Sequence, residues 1–488
     1  MSLFAKKPLE VLHLESGEHE HSLKRTLGPT ALVALGIGAI IGAGLFSLTG
    51  IAAANNAGPA VVLSFVAAAF GCAFAGLCYS EFATMIPIAG SAYTYAYATM
   101  GELIAWIIGW DLVLEYAVGA ATVSISWSSY VISLLHDFGI TLPAAFIASP
   151  WQPVALPDGT MVHGLINLPA VIIVCALSTL LMVGIQESAR LNEVMVVVKV
   201  TVVLVFIIGG WGYMNSANHT PFIPPNTGTF GEFGYSGILR AAGIIFFAFI
   251  GFDAVSTAAQ EAKNPQRDMP IGIIGSLVVC TLLYVLFAWV MTGLQPSSAF
   301  KGSAAPVAVA IAATPYTWLA KGVKFAIICG YTSVMLVMLL GQSRVFYSMS
   351  RDGLLPGVFS SIHRKFRTPW RSNMFFMVFV GLFSAFAPIK LVGEMTSIGT
   401  LLAFVIVCAG ILVMRRTQPD LPRPFRTPWV PVVPILGILA NLGLMAGLGL
   451  ENWLRLVIWL AIGLAIYFGY SRKRSKVRAA SIAALKAG

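Results

Sequence analysis

Residues 36–46 read GIGAIIGAGLF and lie inside an apolar stretch that begins near Thr30. A stretch of this class can cross a membrane, because ~20 residues of helix span ~30 Å of hydrocarbon. Glycine in a helix interior costs ~1 kcal/mol relative to alanine, and backbone groups freed within lipid must be satisfied by protein or water. Gly42 and Gly44 at mid-span therefore predict a broken helix that lines a cavity.

A second stretch has the same feature. Residues 246–257 read FFAFIGFDAVST, with Gly251 at mid-span and Asp253 close behind it. A single interrupted segment is equally well explained by close packing of small residues between helices. The two stretches fall in the first and sixth predicted spans, however. Interrupted segments at corresponding places in two halves of a chain indicate an inverted-repeat transporter site.

The composition excludes a soluble protein with a water-facing surface. The 488 residues are 58% hydrophobic and 10% charged, with a mean hydropathy of +0.84, whereas soluble chains carry about 25% charged residues. We predict an all-α polytopic membrane protein with about twelve transmembrane helices. The predicted spans are 29–54, 58–84, 98–135, 165–185, 190–213, 236–261, 270–294, 319–349, 373–388, 391–414, 430–449 and 453–471.

The two interruptions group these spans into repeats. Residues 29–213 form the first predicted inverted repeat and residues 236–414 the second, in a five-plus-five arrangement whose helices 1 and 6 are broken. The last two spans, residues 430–471, lie outside the repeats. An N-terminal segment (1–28) and a basic tail (472–488) complete the predicted organisation.

Lysines and arginines are distributed unequally between the predicted loops. The net charge is +10, and basic residues cluster at 364–371, at 415–426 and near both termini, whereas loops 137–167 and 215–236 contain none. Because Lys and Arg mark the cytoplasmic side, we predict cytoplasmic termini in a protein of the cell membrane. The expected partners of the basic loops and tail are anionic lipid headgroups rather than nucleic acid. The six cysteines lack metal-ligand spacing, so no metal site is predicted.

The two breaks offer groups of opposite polarity to a ligand. A half-helix that starts after a break presents free N–H groups and a positive dipole end, and one that stops before a break presents free carbonyls. We predict that the amides of Ala43 and Gly44 bind a carboxylate, with Gly42 leaving room for it. We predict that the carbonyls of Ile40, Phe247 and Ile250 bind an ammonium. Ala248 and Gly251 are further predicted residues of the substrate site. The pattern favours a zwitterionic α-amino acid.

Ionisable residues inside the predicted spans are functional hypotheses. Lys199 lies in the middle of the fifth span, where it either gains and loses a proton during transport or is a static tether to carbonyls of the first span. Glu115 is a candidate proton acceptor or partner of Lys199. Asp253 either takes part in proton coupling or caps the half-helix after the second break. Thr332 and Ser333 are predicted to complete the site around Lys199.

These segments resemble the amino acid–polyamine–organocation (APC) superfamily. The resemblance lies in GAIIGAGLF at 38–46, FFAFIGFDAVST at 246–257, QEAKNPQRDMP at 260–270, GQSRVFYSMSRDGLLP at 341–356 and GELIAWIIGWDLVLE at 101–115. The chain looks most like the cationic amino acid transporter (CAT) branch, in particular its bacterial proton-coupled members. The resemblance implies a LeuT-like fold, proton rather than sodium coupling through Lys199, no cofactor, and Phe247 as an aromatic gate over the substrate.

Met338 separates this chain from the animal CAT proteins, which resemble it but carry small polar residues at this place. A bulky thioether there shortens the side-chain pocket, so we expect proton-coupled import of small or medium neutral L-amino acids such as alanine. Arginine or lysine transport, amino acid exchange, polyamine transport and a transporter-like amino acid sensor are the alternatives. A sterol or a small membrane protein stays open as a further partner. An enzyme is not expected, because the sequence lacks a catalytic motif and a nucleotide-binding loop.

Overall fold

A computed structural model describes residues 3–8, 27–86, 91–155, 161–184, 189–257, 259, 262–303 and 305–479. Most of the N-terminal segment predicted at 1–28 and the tail beyond Arg478 and Ala479 lie outside the described residues. The main helices are α1 (Pro29–Ile40), α2 (Val61–Met85), α3 (Ser91–Thr99), α4 (Glu102–Val113), α5 (Gly119–Asp137), α6 (Leu168–Val183), α7 (Ala189–Trp211), α8 (Gly234–Ile245), α9 (Pro265–Leu294), α10 (Pro306–Ile311), α11 (Thr317–Arg351), α12 (Trp370–Phe386), α13 (Ile389–Thr417), α14 (Val432–Gly447) and α15 (Leu450–Ile466).

Shorter helical segments join or extend the main ones. The π-helical turns are Gly44–Leu48, Ala53–Ala57, Leu114–Val118 and Tyr467–Ser471, and the short α-helices are Thr49–Ala52, Ala254–Thr257 and Arg472–Arg474. The 3₁₀ turns are Gly58–Ala60, Ala144–Phe146, Ser216–His219, Phe246–Phe249, Ser297–Phe300 and Gly357–Ser360. The expectation of an all-α chain needs one correction. Strands β1 (Pro153–Ala155) and β2 (Met161–His163) pair antiparallel in a loop, where residues need not satisfy their backbone by a helix.

The helices make this a polytopic membrane protein. By length and composition, eight described helical stretches can cross a membrane, and four shorter apolar helices accompany them. Each predicted span overlaps one of these helical stretches, although the boundaries differ and one stretch, Gly44–Met85, overlaps two predicted spans. The third begins at Glu102 rather than at residue 98, because the backbone turns at Gly101 (φ +98°) and separates α3 from α4.

Both predicted interruptions are breaks in the structure. Helix α1 ends at Ile40, Ile41 is extended (φ −70°, ψ 107°), and helical structure resumes at Gly44. Helix α8 continues as a 3₁₀ turn to Phe249, then Ile250 is extended and a helix resumes at Ala254. The chain therefore frees backbone groups at two mid-helix positions, where the sequence predicted it.

The two described ends of the chain meet at one end of the helix bundle. The ammonium of Lys7 lies 2.7 Å from a carboxylate oxygen of Asp352, which follows α11. The backbone N–H of Lys476 donates to the carbonyl of the same aspartate (3.1 Å). The described N-terminal and C-terminal segments therefore both contact the residue that follows α11, whereas the side of the membrane on which they lie stays a prediction.

Candidate substrate and proton site

The two breaks pack directly against each other. A Cβ atom added at Gly44 would overlap the backbone of Ala248. A Cβ atom at Gly251 would lie 2.8 Å from the carbonyl oxygen of Ala39, and the residue has φ +112°, which disfavours any side chain. The glycine of each break therefore lies against the backbone of the other break, which is the close packing that the small residues permit.

Gly42 has a different environment from its neighbour Gly44. Its added Cβ would meet only the side chain of Val334 on α11, at 3.4 Å, which is an ordinary contact. The two glycines were predicted to have one shared purpose, to let a ligand approach the backbone. Of these two glycines, only Gly44 lies so close to the second break that a side chain has no room.

The first break presents N–H groups at the start of a half-helix. The N–H of Phe46 donates to the carbonyl of Gly42 (3.2 Å), and in the described segment this is the first bond of the new half-helix. The N–H groups of Ala43 and Gly44 precede it, at the positive end of the helix dipole. These are the amides predicted to bind a carboxylate, and that binding stays a prediction.

A tyrosine that the sequence reasoning missed connects the two breaks. The hydroxyl of Tyr284 on α9 donates at 3.1 Å to the carbonyl of Ile40 and at 2.9 Å to that of Ala248. One of these carbonyls was predicted to accept a substrate ammonium. The available signal was a lone tyrosine within the apolar span 270–294, since a buried phenol needs a hydrogen-bond partner.

The remaining predicted substrate residues are enclosed. Phe247 and Ile250 are buried, and the carbonyl of Phe247 accepts the N–H of Ile250 (3.2 Å). Because Phe247 is only 3% exposed, its side chain has to move if it is the predicted gate. Substrate binding by these residues stays a prediction.

Met338, Thr332 and Ser333 occupy three different surroundings on α11. The sulfur of Met338 lies beside Gly119 at the start of α5, 3.3 Å from where a Cβ of that glycine would be. The hydroxyl of Thr332 accepts the indole N–H of Trp127 (3.1 Å). That of Ser333 donates to the carbonyl of Gly330 (3.1 Å). The two hydroxyls therefore bond to α5 and to their own helix, and the limiting of a substrate pocket by Met338 stays a prediction.

Lys199 connects α7 to the first broken helix. Its ammonium donates to the carbonyl of Gly38 at 2.6 Å, and its methylene stem passes the position that a Cβ of Gly330 would occupy, at 3.2 Å. The lysine is 1% exposed. The structure contains the contact that the tether hypothesis requires, and titration during transport stays a prediction.

Two carboxyl groups face each other below the second break. The carboxyl group of Glu115 faces that of Asp253 and the hydroxyl of Thr400. Tyr116 donates to one oxygen of Asp253 (3.1 Å). In the described part of the chain, neither the two oxygens of Glu115 nor the second oxygen of Asp253 forms a hydrogen bond. The prediction named both residues for proton coupling without placing them together.

Comparison with known proteins identifies the family. Residues 27–469, nearly the whole helical region, match the family model described as Amino acid permease. The chain belongs to this family. Two bacterial relatives and one plant relative extend the comparison, each over most of this permease.

The relatives carry different names. The permease is 47% identical to the branched-chain amino acid permease BcaP of Bacillus subtilis (strain 168), over 98% of this chain and 99% of the relative. It is 42% identical to the methylthioribose transporter of the same strain, over 97% and 99%. It is 34% identical to the vacuolar cationic amino acid transporter 4 of Arabidopsis thaliana, over 86% of this chain and 68% of the relative. The predicted APC membership and the resemblance to cationic amino acid transporters are confirmed, and the permease is a transporter rather than an enzyme.

Proposed function

We propose that this permease imports a neutral aliphatic L-amino acid together with a proton across the cell membrane. Twelve crossings, with five-plus-five inverted repeats at 29–213 and 236–414 and two further crossings at 430–471, provide the framework, and both termini are cytoplasmic. The proposal is carried by one observation, the direct packing of the two breaks at Gly44–Ala248 and Gly251–Ala39. Such interrupted helices form mid-membrane sites in transporters that work by alternating access.

The backbone of the substrate is recognised by the backbone of the breaks. Its carboxylate binds at the first N–H groups of the second half-helix, those of Ala43 and Gly44. Its ammonium binds carbonyls of Ile40, Phe247 and Ile250. Tyr284 already bonds one of them, but a carbonyl oxygen has two lone pairs and accepts a second donor. Tyr284 thus holds both breaks in register for the ligand.

The side chain of the substrate is limited by Met338. Met338 lies beside Gly119, and an apolar wall formed there by its side chain suits an aliphatic rather than a cationic substrate. Two bacterial relatives named branched-chain amino acid permeases, at 47% and 36% identity, support a neutral aliphatic substrate. Within this class we test alanine, the expected substrate from the sequence, against leucine.

We expect Met338→Ala to shift selectivity toward the larger substrate. Removing the thioether chain enlarges the pocket, and one methylene in an apolar pocket changes discrimination by ~1–3 kcal/mol. The ratio of kcat/KM for leucine over alanine should rise about tenfold, measured by initial uptake rates. Met335→Ala on the same helix is the matched control and should leave the ratio unchanged. Equal ratios in both variants would show that Met338 does not line the pocket.

A second candidate substrate is methylthioribose, because a 42% identical relative is a methylthioribose transporter. This sugar offers neither carboxylate nor ammonium to the two breaks. Counterflow exchange in proteoliposomes preloaded with unlabelled leucine, alanine, arginine or methylthioribose separates the candidates. We expect leucine or alanine to drive entry of labelled substrate. Exchange driven by methylthioribose alone would overturn the amino acid proposal.

The coupled proton is bound either by Lys199 or by the Glu115–Asp253 pair, and the group that carries it has to be protonated and deprotonated once in each transport cycle. Two ionised carboxylates face to face repel each other, and one shared proton turns the contact into a hydrogen bond. Loss of the proton from Lys199 weakens the bond to Gly38 that holds the first broken helix. Protonation biases the two conformations only by its differential affinity for them. Sodium is not needed, because an ammonium already lies against the first span.

We expect the Glu115→Gln variant to retain substrate exchange but to lose substrate accumulation. A glutamine keeps the size of the side chain and donates permanently to Asp253, like a protonated carboxyl group, but it releases no proton. Counterflow exchange should stay within about threefold of wild type while accumulation driven by a proton gradient is lost, a split that a structural defect does not produce. Glu451→Gln, at an exposed glutamate, is the control. Normal accumulation by Glu115→Gln would remove Glu115 from the coupling scheme.

A further inference from the structure

The outward face of α12 carries one charge followed by an apolar ridge. Arg371 lies in the first helical turn and is the only charged residue of Trp370–Phe386. Met374, Phe375, Val378 and Leu382 follow on the same face and are 43%, 48%, 56% and 55% exposed. These spacings of three and four residues form one stripe along a helix.

A groove runs along this stripe. Its volume is about 540 Å³, and Val358, Trp370 and Phe379 line it together with the stripe. From Arg371 to Leu382 the helix rises roughly 16 Å, at 1.5 Å per residue. This is about half of the ~30 Å hydrocarbon core. The groove is therefore about as long as one leaflet of the bilayer is deep.

A strongly basic segment, residues 364–371, leads along the chain to the groove at Arg371, and we call it the mouth. Exposed Arg364, Lys365 and Arg367 precede Arg371 within eight residues, and the sequence contains no acidic residue between Asp352 and Glu394. Those two acids are engaged elsewhere, with Lys7 at 2.7 Å and Arg240 at 2.9 Å. Among the described residues, none of the four cations of the mouth forms an ion pair within 4.0 Å.

We propose that this groove binds one anionic phospholipid. An acyl chain lies along Met374, Phe375, Val378 and Leu382, and the phosphate of the headgroup binds Arg371, whose planar guanidinium matches phosphate oxygens in a bidentate pair. Arg364, Lys365 and Arg367 add attraction for an anionic headgroup. Trp370, 5.3 Å from the Arg371 guanidinium, has the amphipathic ring typical of the headgroup level. A sterol hydroxyl is neutral and does not neutralise this positive charge.

Native mass spectrometry of the full-length, delipidated permease tests the proposal. The protein is titrated with palmitoyl-oleoyl phosphatidylglycerol or with phosphatidylcholine of the same chains, so that only the headgroup differs. We expect one phosphatidylglycerol to be retained at least about tenfold more strongly than phosphatidylcholine, equivalent to ~1.4 kcal/mol. Inorganic phosphate should not displace it, because the acyl chain contributes to binding.

Three variants distinguish a specific lipid-binding site from nonspecific attraction of lipid to a basic surface. Arg371→Gln removes the headgroup contact, and Val378→Trp fills the groove without changing charge; both should lose the retained lipid. Arg416→Gln makes the same charge change at another exposed basic residue and should keep it. Equal loss in Arg371→Gln and Arg416→Gln, unchanged retention in Val378→Trp, or equal retention of the two lipids would each overturn the proposal.

Discussion

Gly44→Ala is expected to reduce substrate affinity about 10- to 100-fold, because the new methyl group has no room. Its Cβ would overlap the backbone of Ala248, and backbone, unlike a flexible side chain, cannot rotate away. Inserting a methyl group into a tightly packed position costs ~1–3 kcal/mol. The two breaks must separate to accept it, which displaces the N–H groups of Ala43 and Gly44 from the carbonyls of the second break.

Two further glycine variants make the test quantitative. Gly42→Ala meets only the side chain of Val334, at 3.4 Å, and should weaken binding by less than Gly44→Ala. Gly443→Ala in α14 has open space around its new methyl group and should bind as the wild type does. Binding of labelled leucine and the melting temperature are measured for all three. A Gly44→Ala protein with normal melting temperature and normal affinity would place the substrate elsewhere.

Lys199→Arg is expected to abolish proton-driven accumulation even though it keeps the positive charge. Arginine is not deprotonated in proteins, so it preserves an attachment to the carbonyl of Gly38 but cannot take part in a proton cycle. Lys199→Ala removes both the attachment and the proton and should fail as well. The two variants distinguish a lysine that titrates during transport from one that is only a static tether. The 2.6 Å contact with Gly38 fits both hypotheses equally well.

The control for this pair is Lys324→Arg. Lys324 forms an ion pair with Asp137 at 2.6 Å, which arginine can also make, so uptake should be unchanged. Accumulation against a gradient and counterflow exchange are measured side by side. If Lys199→Arg accumulates substrate as the wild type does and Lys199→Ala does not, the lysine is a tether only.

The backbone features of the site were predictable because they follow from single residue types. Glycine at 42, 44 and 251 in apolar spans predicted both breaks, and the structure has them between Ile40 and Gly44 and between Phe249 and Ala254. Lysine in the middle of an apolar span predicted a contact with the first span, and Gly38 provides it. The free-energy cost of glycine within a helix, and of a charged side chain removed from water, was sufficient for these inferences.

Contacts between distant spans were not predictable in the same way. Nothing in the spacing of Glu115 and Asp253 shows that their carboxyl groups face each other, since this depends on how α4, its π-helical continuation and the second break are packed. Tyr284 was missed for the same reason: its two acceptors, Ile40 and Ala248, lie 244 and 36 residues away. The different surroundings of Gly42 and Gly44 also depend on neighbours from other helices.

The most direct test of proton-coupled amino acid import is uptake by the purified permease in sodium-free proteoliposomes. Labelled leucine, alanine and arginine are compared with and without an inward proton gradient. The account predicts that leucine or alanine accumulates above its external concentration only while the gradient is present, and that an ionophore which dissipates the gradient abolishes accumulation. Accumulation that is independent of the gradient, that requires sodium, or that favours arginine over both neutral amino acids would contradict it.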